Sequence, residues 1–234
     1  MIISYTRNFI FLKTQKTGGS SIEIALSGLC GADDVLTHLP ADEEAIRLLA
    51  GRGMQNVEVP RQYQPWWTRI IRPRSGRLAR GRSRYTSHMD AKTLRSRMDP
   101  DLFDSLTKAT IVRNPWDREV SLYYWHTRGT QRPSDFSDFV GRWERKPERK
   151  TFDIYSIDGR VIATSIWRYE RLSHHYEDFV RSLGVENVPA LPSAKGAIRP
   201  KNAKVYQAMY DATTRSIVAR RYAREIEMFG YQFE

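Results

Sequence analysis

Apolar positions in this chain fall in short dense runs divided by polar turns, and the runs alternate between two periodicities. Asn8-Phe-Ile-Phe-Leu-Lys13 reads as a short buried strand, and Ser20-Ser-Ile-Glu-Ile-Ala-Leu-Ser27, after a Lys-Thr-Gly-Gly turn, as a helix. A second helix is predicted over Ala41 to Ala50: Asp42, Glu43 and Glu44 in its first turn complement the dipole, and Gly51 stops it. A short helix follows at Asp90 to Met98. Ala109-Thr-Ile-Val-Arg113 is a second compact strand, ended by Asn114-Pro115, and Pro115 suits the first position of a helix running to about His126.

Farther along, Phe136 to Arg145 and Leu172 to Leu183 read as helices, and Arg160 to Tyr169 as a β-rich segment. The last long helix is placed at about Thr213 to Met228, with Val218, Tyr222, Ile226 and Phe229 as one buried stripe. The expected fold class is therefore α/β, a central parallel β-sheet flanked by helices, with ligands at the carboxyl ends of the strands.

Composition narrows this further. With 234 residues, 40% of them apolar and 28% charged, the chain suits one domain spanning 1–234 that buries its core without metal or disulfide. Cys30 is the only cysteine, which excludes an intramolecular disulfide and fits a reduced, cytoplasmic setting. The N-terminus leads straight into a strand with no room for a signal peptide, and no apolar run approaches the ~18 residues of a membrane span. A soluble protein is expected, with peripheral membrane contact left open.

The net charge of +11 points to polyanionic partners, and its distribution is uneven. Eight arginines and no acidic residue lie between Arg61 and Tyr85. This stretch, about 60–85, contains Pro65, Pro73, Gly76 and Gly81 and reads as an irregular insertion or lid.

Two segments carry the chemistry. In Lys16-Thr-Gly-Gly-Ser-Ser21, Gly18 and Gly19 let the backbone turn so that its N–H groups face an anion at a helix N-terminus. Lys16 adds a full charge, and Ser20 and Ser21 add hydroxyl donors. The nucleoside triphosphate loop has its lysine after the glycines; here it comes first. Where an ATP or GTP site supplies a carboxylate for magnesium, this chain has Arg113, which suits a second phosphate better than a metal. In Ile111-Val-Arg-Asn-Pro-Trp-Asp-Arg-Glu-Val-Ser121, Arg113 leaves the strand end and Ser121 lies about two turns along the helix, so both reach one phosphate. Arg118 is the member of this segment free to pair with a carboxylate instead.

At these residues the chain resembles the sulfotransferases that use 3′-phosphoadenosine 5′-phosphosulfate (PAPS), most closely the bacterial and carbohydrate-type members. Lys16 to Ser21 looks like their 5′-phosphosulfate loop, and Val112 to Ser121 looks like their 3′-phosphate motif. Trp167-Arg-Tyr-Glu-Arg-Leu172 and Phe229-Gly-Tyr-Gln-Phe233 extend the likeness to nearly the whole chain outside the arginine-rich stretch. Gln15 departs from the proline usual before the loop lysine.

The resemblance implies a P-loop-like fold, PAPS as cosubstrate, 3′,5′-adenosine bisphosphate (PAP) as product and no metal. It assigns Lys16, Thr17, Gly18, Gly19, Ser20 and Ser21 to the 5′-phosphosulfate, and Arg113 and Ser121 to the 3′-phosphate. More loosely, Lys195, Gly196 and Arg199 match a later loop that closes over the 3′-phosphate and adenine. The implied partner is a saccharide or other hydroxyl-bearing acceptor, anionic in view of the arginines.

Sulfuryl transfer needs in-line alignment, charge stabilisation on the leaving phosphate, and a base for the acceptor hydroxyl. Lys16 is assigned to the bridging oxygen. Of five histidines, His88 is the candidate base, because it lies between the two motifs just before a helix, where related carbohydrate sulfotransferases place one. His126, His174 and His175 read as surface or packing residues, and His38 lies in a Thr-His-Leu-Pro turn. A nucleic-acid-binding module, resting on the same arginines with Tyr63, Trp66, Trp67 and Tyr85, and a P-loop kinase are the rival readings.

Overall fold

The computed structural model describes residues 1–64, 84–129, 135–144, 151–192 and 205–234. They divide into two compact units: Met1–Gln15, Gly19–Ile111 and Thr151–Ala194 form the first, and Lys16–Gly18, Val112–Lys150 and Lys195–Glu234 the second.

The first unit holds the sheet. Strands β1 (Ile2–Ser4), β2 (Phe9–Leu12), β3 (Val35–Leu36), β4 (Thr107–Val112) and β7 (Ser165–Arg168) pair in the order β3-β1-β2-β4-β7, while β5 (Ser156–Ile157) and β6 (Arg160–Val161) make a separate antiparallel pair. β2 and β4 are parallel, with Phe9 opposite Thr107 and Leu12 opposite Thr110, as expected for the two motif-bearing strands.

The sheet is mixed, however. β1 runs antiparallel to both β2 and β3, because Ser4 and Phe9 are paired across a turn too short for a crossover, with Asn8 in the left-handed region at φ 54°. Asp34 braces this corner, accepting from Ser4 Oγ at 2.7 Å and from the backbone N–H of Tyr5, Thr6 and Gly31. All four residues of β2 are buried, as a strand covered on both faces requires. Phe11 stacks on Trp167 at 5.7 Å and Phe9 meets Phe179 edge-on at 5.5 Å. Cys30 lies in the same core, its thiol pushed up to about 12 by burial and by the nearby Asp34 charge.

Around this sheet lie α1 (Gly19–Ser27), α2 (Ala41–Ala50), α3 (Ala91–Arg95) and α4 (Pro100–Ser105). α3 is shorter than the span predicted from Asp90 to Met98: Asp90 caps it by accepting from Thr93 N–H, and Ser96 ends it. α4 was not expected from the sequence; Asp99 caps it and Pro100 starts it.

The second unit contains α5 (Pro115–Thr127) and α6 (Phe136–Glu144), while α7 (Leu172–Ser182) belongs to the first. The predicted terminal helix is two helices, α8 (Ala212–Arg221) and α9 (Ala223–Phe229). They part at Tyr222, whose backbone leaves helical geometry (φ −114°, ψ 22°) while its hydroxyl bonds the buried Glu119 carboxylate at 2.5 Å. Of the predicted stripe, Val218 and Tyr222 are buried and Ile226 and Phe229 only half-buried. Arg118 pairs with Glu225 through two hydrogen bonds and lies 4.5 Å over the Tyr222 ring, so this arginine serves packing.

Candidate active site

Within the first unit, β2 ends at Leu12 and the next residues turn inward. Thr14 Oγ1 donates to the Ile111 carbonyl at 2.5 Å and Thr110 Oγ1 to the Leu12 carbonyl at 2.9 Å, tying together the ends of the two parallel strands. Lys13 is buried, its ammonium on the Glu23 carboxylate and 3.2 Å from Ser20 Oγ. Glu23 is fully buried and also takes the Met1 amino group and Thr37 Oγ1. Ser20 is buried and Ser21 half-buried in the first turn of α1.

Gly19 has a specific steric reason: a Cβ there would sit 2.9 Å from Lys13 Cγ. His88 reaches the same place, its Nδ1 2.9 Å from the Lys13 carbonyl. A carbonyl only accepts, so Nδ1 carries the proton and Nε2 is the basic nitrogen of the neutral ring. The imidazole is exposed. The residues just before it, Arg84, Tyr85, Thr86 and Ser87, line with His38 and Val57 a cavity of about 410 Å³.

Within the second unit, Lys16 sits at φ 60° and Gly18 at φ 77°, two left-handed residues that give this stretch its sharp turn. The lysine can hold that geometry because its carbonyl accepts from Arg113 Nη1 at 2.6 Å. Its ammonium lies 4.4 Å over the Trp125 ring, which Arg128 also contacts. Arg113 is buried and grips Asp117 through Nε at 2.8 Å and Nη2 at 2.6 Å.

Asn114 starts α5 by accepting from the Trp116 and Asp117 N–H groups, and Pro115 fills the first helical position. Asp117, Ser121 and Trp125 recur every four residues, so they share one face of α5. Ser121 therefore lies between the carboxylate that orients Arg113 and the ring that holds Lys16.

The structure thus brings Lys13, Ser20, Glu23 and His88 together in one unit and Lys16, Arg113, Asp117 and Trp125 in the other. Thr17 is buried, while Lys195, Gly196 and Arg199 lie outside the described residues, as does 65–83 of the arginine-rich stretch. Of the other four histidines, His126 is inside α5, His174 faces Asp178 at the surface, His175 is on α7, and His38 lines the cavity beside Arg84 to Ser87. Lys13, Glu23, Asp117 and Trp125 were missed as site residues. Only Asp117 and Trp125 left a signal, in their four-residue spacing from Ser121. Among the described residues no group of three or more His, Cys, Asp or Glu is placed to hold a metal, and no helix is long and apolar enough to cross a membrane.

Parallel strands ending in a glycine turn and in a buried arginine, each leading into a helix, have the arrangement of the P-loop-like α/β class. The family model described as "Sulfotransferase family" matches residues 1–232, so the chain belongs to the sulfotransferase family. It is an enzyme that takes its sulfuryl group from PAPS and releases PAP. Searches of curated proteins and of solved structures gave no match. Membership in this family stands against the kinase reading of the chain.

Proposed function

We propose that the acceptor is a hydroxyl of a saccharide or glycolipid, and that His88 removes its proton. The observation that carries this is the His88 Nδ1 contact to the Lys13 carbonyl at 2.9 Å, which leaves Nε2 as the base. As Nε2 takes the proton, the acceptor oxygen bonds to sulfur and the bond from sulfur to the bridging oxygen breaks. The electron pair stays on the 5′-phosphate of departing PAP. Lys16 counters that growing charge, the loop through Ser21 holds the 5′-phosphosulfate, and Arg113 and Ser121 hold the 3′-phosphate.

The cavity bounded by Arg84 to Ser87 supports an acceptor of sugar size, and the excess of arginines between Arg61 and Tyr85 supports one carrying a carboxylate or sulfate. The test is incubation with labelled PAPS and a panel of neutral and anionic glycans, glycolipids and small alcohols. Transfer to anionic saccharides, cut by about 10²- to 10⁴-fold in His88→Ala, is expected. Transfer confined to simple alcohols would refute the saccharide assignment.

A further inference from the structure

We infer that Phe233 is a positioning residue that sets the preference for nucleotides bearing a 3′-phosphate, acting through Asn114. This rests on the reading that Arg113 and Ser121 hold that phosphate. Asn114 stands between the two: it follows Arg113 and caps α5, the helix that carries Ser121. Its Oδ1 accepts from the Trp116 and Asp117 N–H groups at 3.1 and 3.4 Å. Its Nδ2 donates to the Gln232 carbonyl at 2.9 Å and to the Tyr206 hydroxyl at 3.3 Å. One planar amide thus ties the first turn of α5 to the chain beside Phe233, and it cannot turn toward one side without giving up the other.

The Tyr206 hydroxyl also donates to the Glu234 carbonyl at 2.7 Å and accepts from the Glu234 N–H at 3.2 Å, so the backbone is bonded on both sides of Phe233. These bonds lie at the surface, where water competes for their groups. The Phe233 ring holds them closed. It meets Trp116 at 5.6 Å, Tyr206 at 5.6 Å and Tyr210 at 5.3 Å, each edge-on, and the Arg215 guanidinium lies 4.6 Å over its face. Trp116 is fixed in turn: its Nε1 donates to the Arg215 carbonyl at 3.2 Å, and its carbonyl accepts from the Tyr210 hydroxyl at 2.8 Å. Gly230, left-handed at φ 61°, ends α9 and turns the chain toward this cage. A helix start displaced by about an ångström changes how Arg113 and Ser121 meet one phosphate.

Calorimetric titration with PAP and with adenosine 5′-monophosphate, which differ by the 3′-phosphate, compares wild type, Phe233→Ala and Phe233→Leu. Phe233→Ala is expected to weaken PAP by about tenfold, as for one hydrogen bond to a charged group, while monophosphate affinity changes by less than about twofold. Phe233→Leu refills part of the cage and should restore PAP affinity to within about threefold of wild type. Equal losses for both nucleotides, or an unchanged affinity ratio in a protein that melts at lower urea, would reduce the ring to support of the fold and overturn the inference. If Phe233→Ala does not fold, Tyr206→Phe decides, because it keeps the ring against Phe233 and removes only the hydroxyl shared by Asn114 and Glu234. A loss of about threefold or more for PAP alone is then expected, and unchanged PAP affinity overturns the inference. Wild-type protein that binds PAP no tighter than the monophosphate would instead overturn the 3′-phosphate reading beneath it.

Discussion

Arg113 donates from Nη1 to the carbonyl of Lys16 at 2.6 Å, joining residues 97 positions apart in the chain. The guanidinium at the end of β4 therefore supports the left-handed backbone of the loop lysine, in addition to the phosphate role proposed for it. Its remaining fork is aligned by Asp117.

This double duty separates Arg113 from Ser121. Arg113→Gln should lose affinity for PAP by about a hundredfold and for adenosine 5′-monophosphate as well, because both the phosphate contact and the loop support go. Ser121→Ala should lower PAP affinity about threefold to tenfold and leave the monophosphate unchanged. Calorimetric titration with both nucleotides checks this; equal behaviour of the two variants would remove the loop-support role.

Lys16 should matter most where charge develops. Lys16→Met is expected to slow sulfuryl transfer by about a hundredfold or more while PAP affinity changes by less than about fivefold. Single-turnover rates set against PAP titrations give the comparison, and parallel losses would contradict the placement of this charge at the bridging oxygen.

For His88, nitrogen-15 spectra of labelled protein near neutral pH should show the Nδ1-protonated tautomer that its carbonyl contact dictates. His88→Ala should cut transfer by about 10²- to 10⁴-fold with unchanged PAP affinity. Near-normal single-turnover transfer in that variant would eliminate His88 as base.

The Arg118 and Glu225 pair, both buried, offers a contrast inside the same motif. Glu225→Gln leaves the arginine's charge uncompensated and should destabilise the fold by about 3–5 kcal/mol. PAP affinity of the folded fraction should stay the same. Urea denaturation and PAP titration together report the two halves, and a large affinity loss would assign Arg118 to the nucleotide.

Acid stability should depend on Asp34. Burial favours its protonated form, but the donors from Thr6, Ser4 and Gly31 outweigh this and hold the carboxyl below its ordinary value. A carboxylate depressed in the folded state contributes stability that is fully present above the unfolded value, near 3.8, and is lost as pH falls through the lower folded value. Asp34→Asn should therefore lower stability at pH 7, and the difference from wild type should shrink below pH 3.8. A difference independent of pH in urea melts would show that the carboxylate charge plays no part.

Both motif strands, both motif helices and the α/β class were legible in the sequence, because each depends on interactions a few residues apart. Phe9 to Leu12 is an apolar run flanked by turn residues, Ala109 to Val112 is a compact, largely β-branched stretch inside β4, and Asn114-Pro115 is a complete helix start in two positions. The anion-binding roles proposed for Lys16 and Arg113 were drawn from the sequence for the same reason: a cation beside a glycine turn, and a cation at a strand end. The family likeness then carried the donor.

Only the tertiary structure could decide how distant polar groups use one another. Antiparallel β1 follows from a short turn braced by Asp34, and the break at Tyr222 accompanies a hydroxyl drawn to Glu119, more than a hundred residues away. Neither has a local pattern. Lys13 looked like the polar end of a strand, and its meaning came from Ser20, Glu23 and His88 converging on it. Short-range order is written in apolar periodicity and turn chemistry; the partner of a buried charge is not, since it depends on which segments burial brings within about 3 Å.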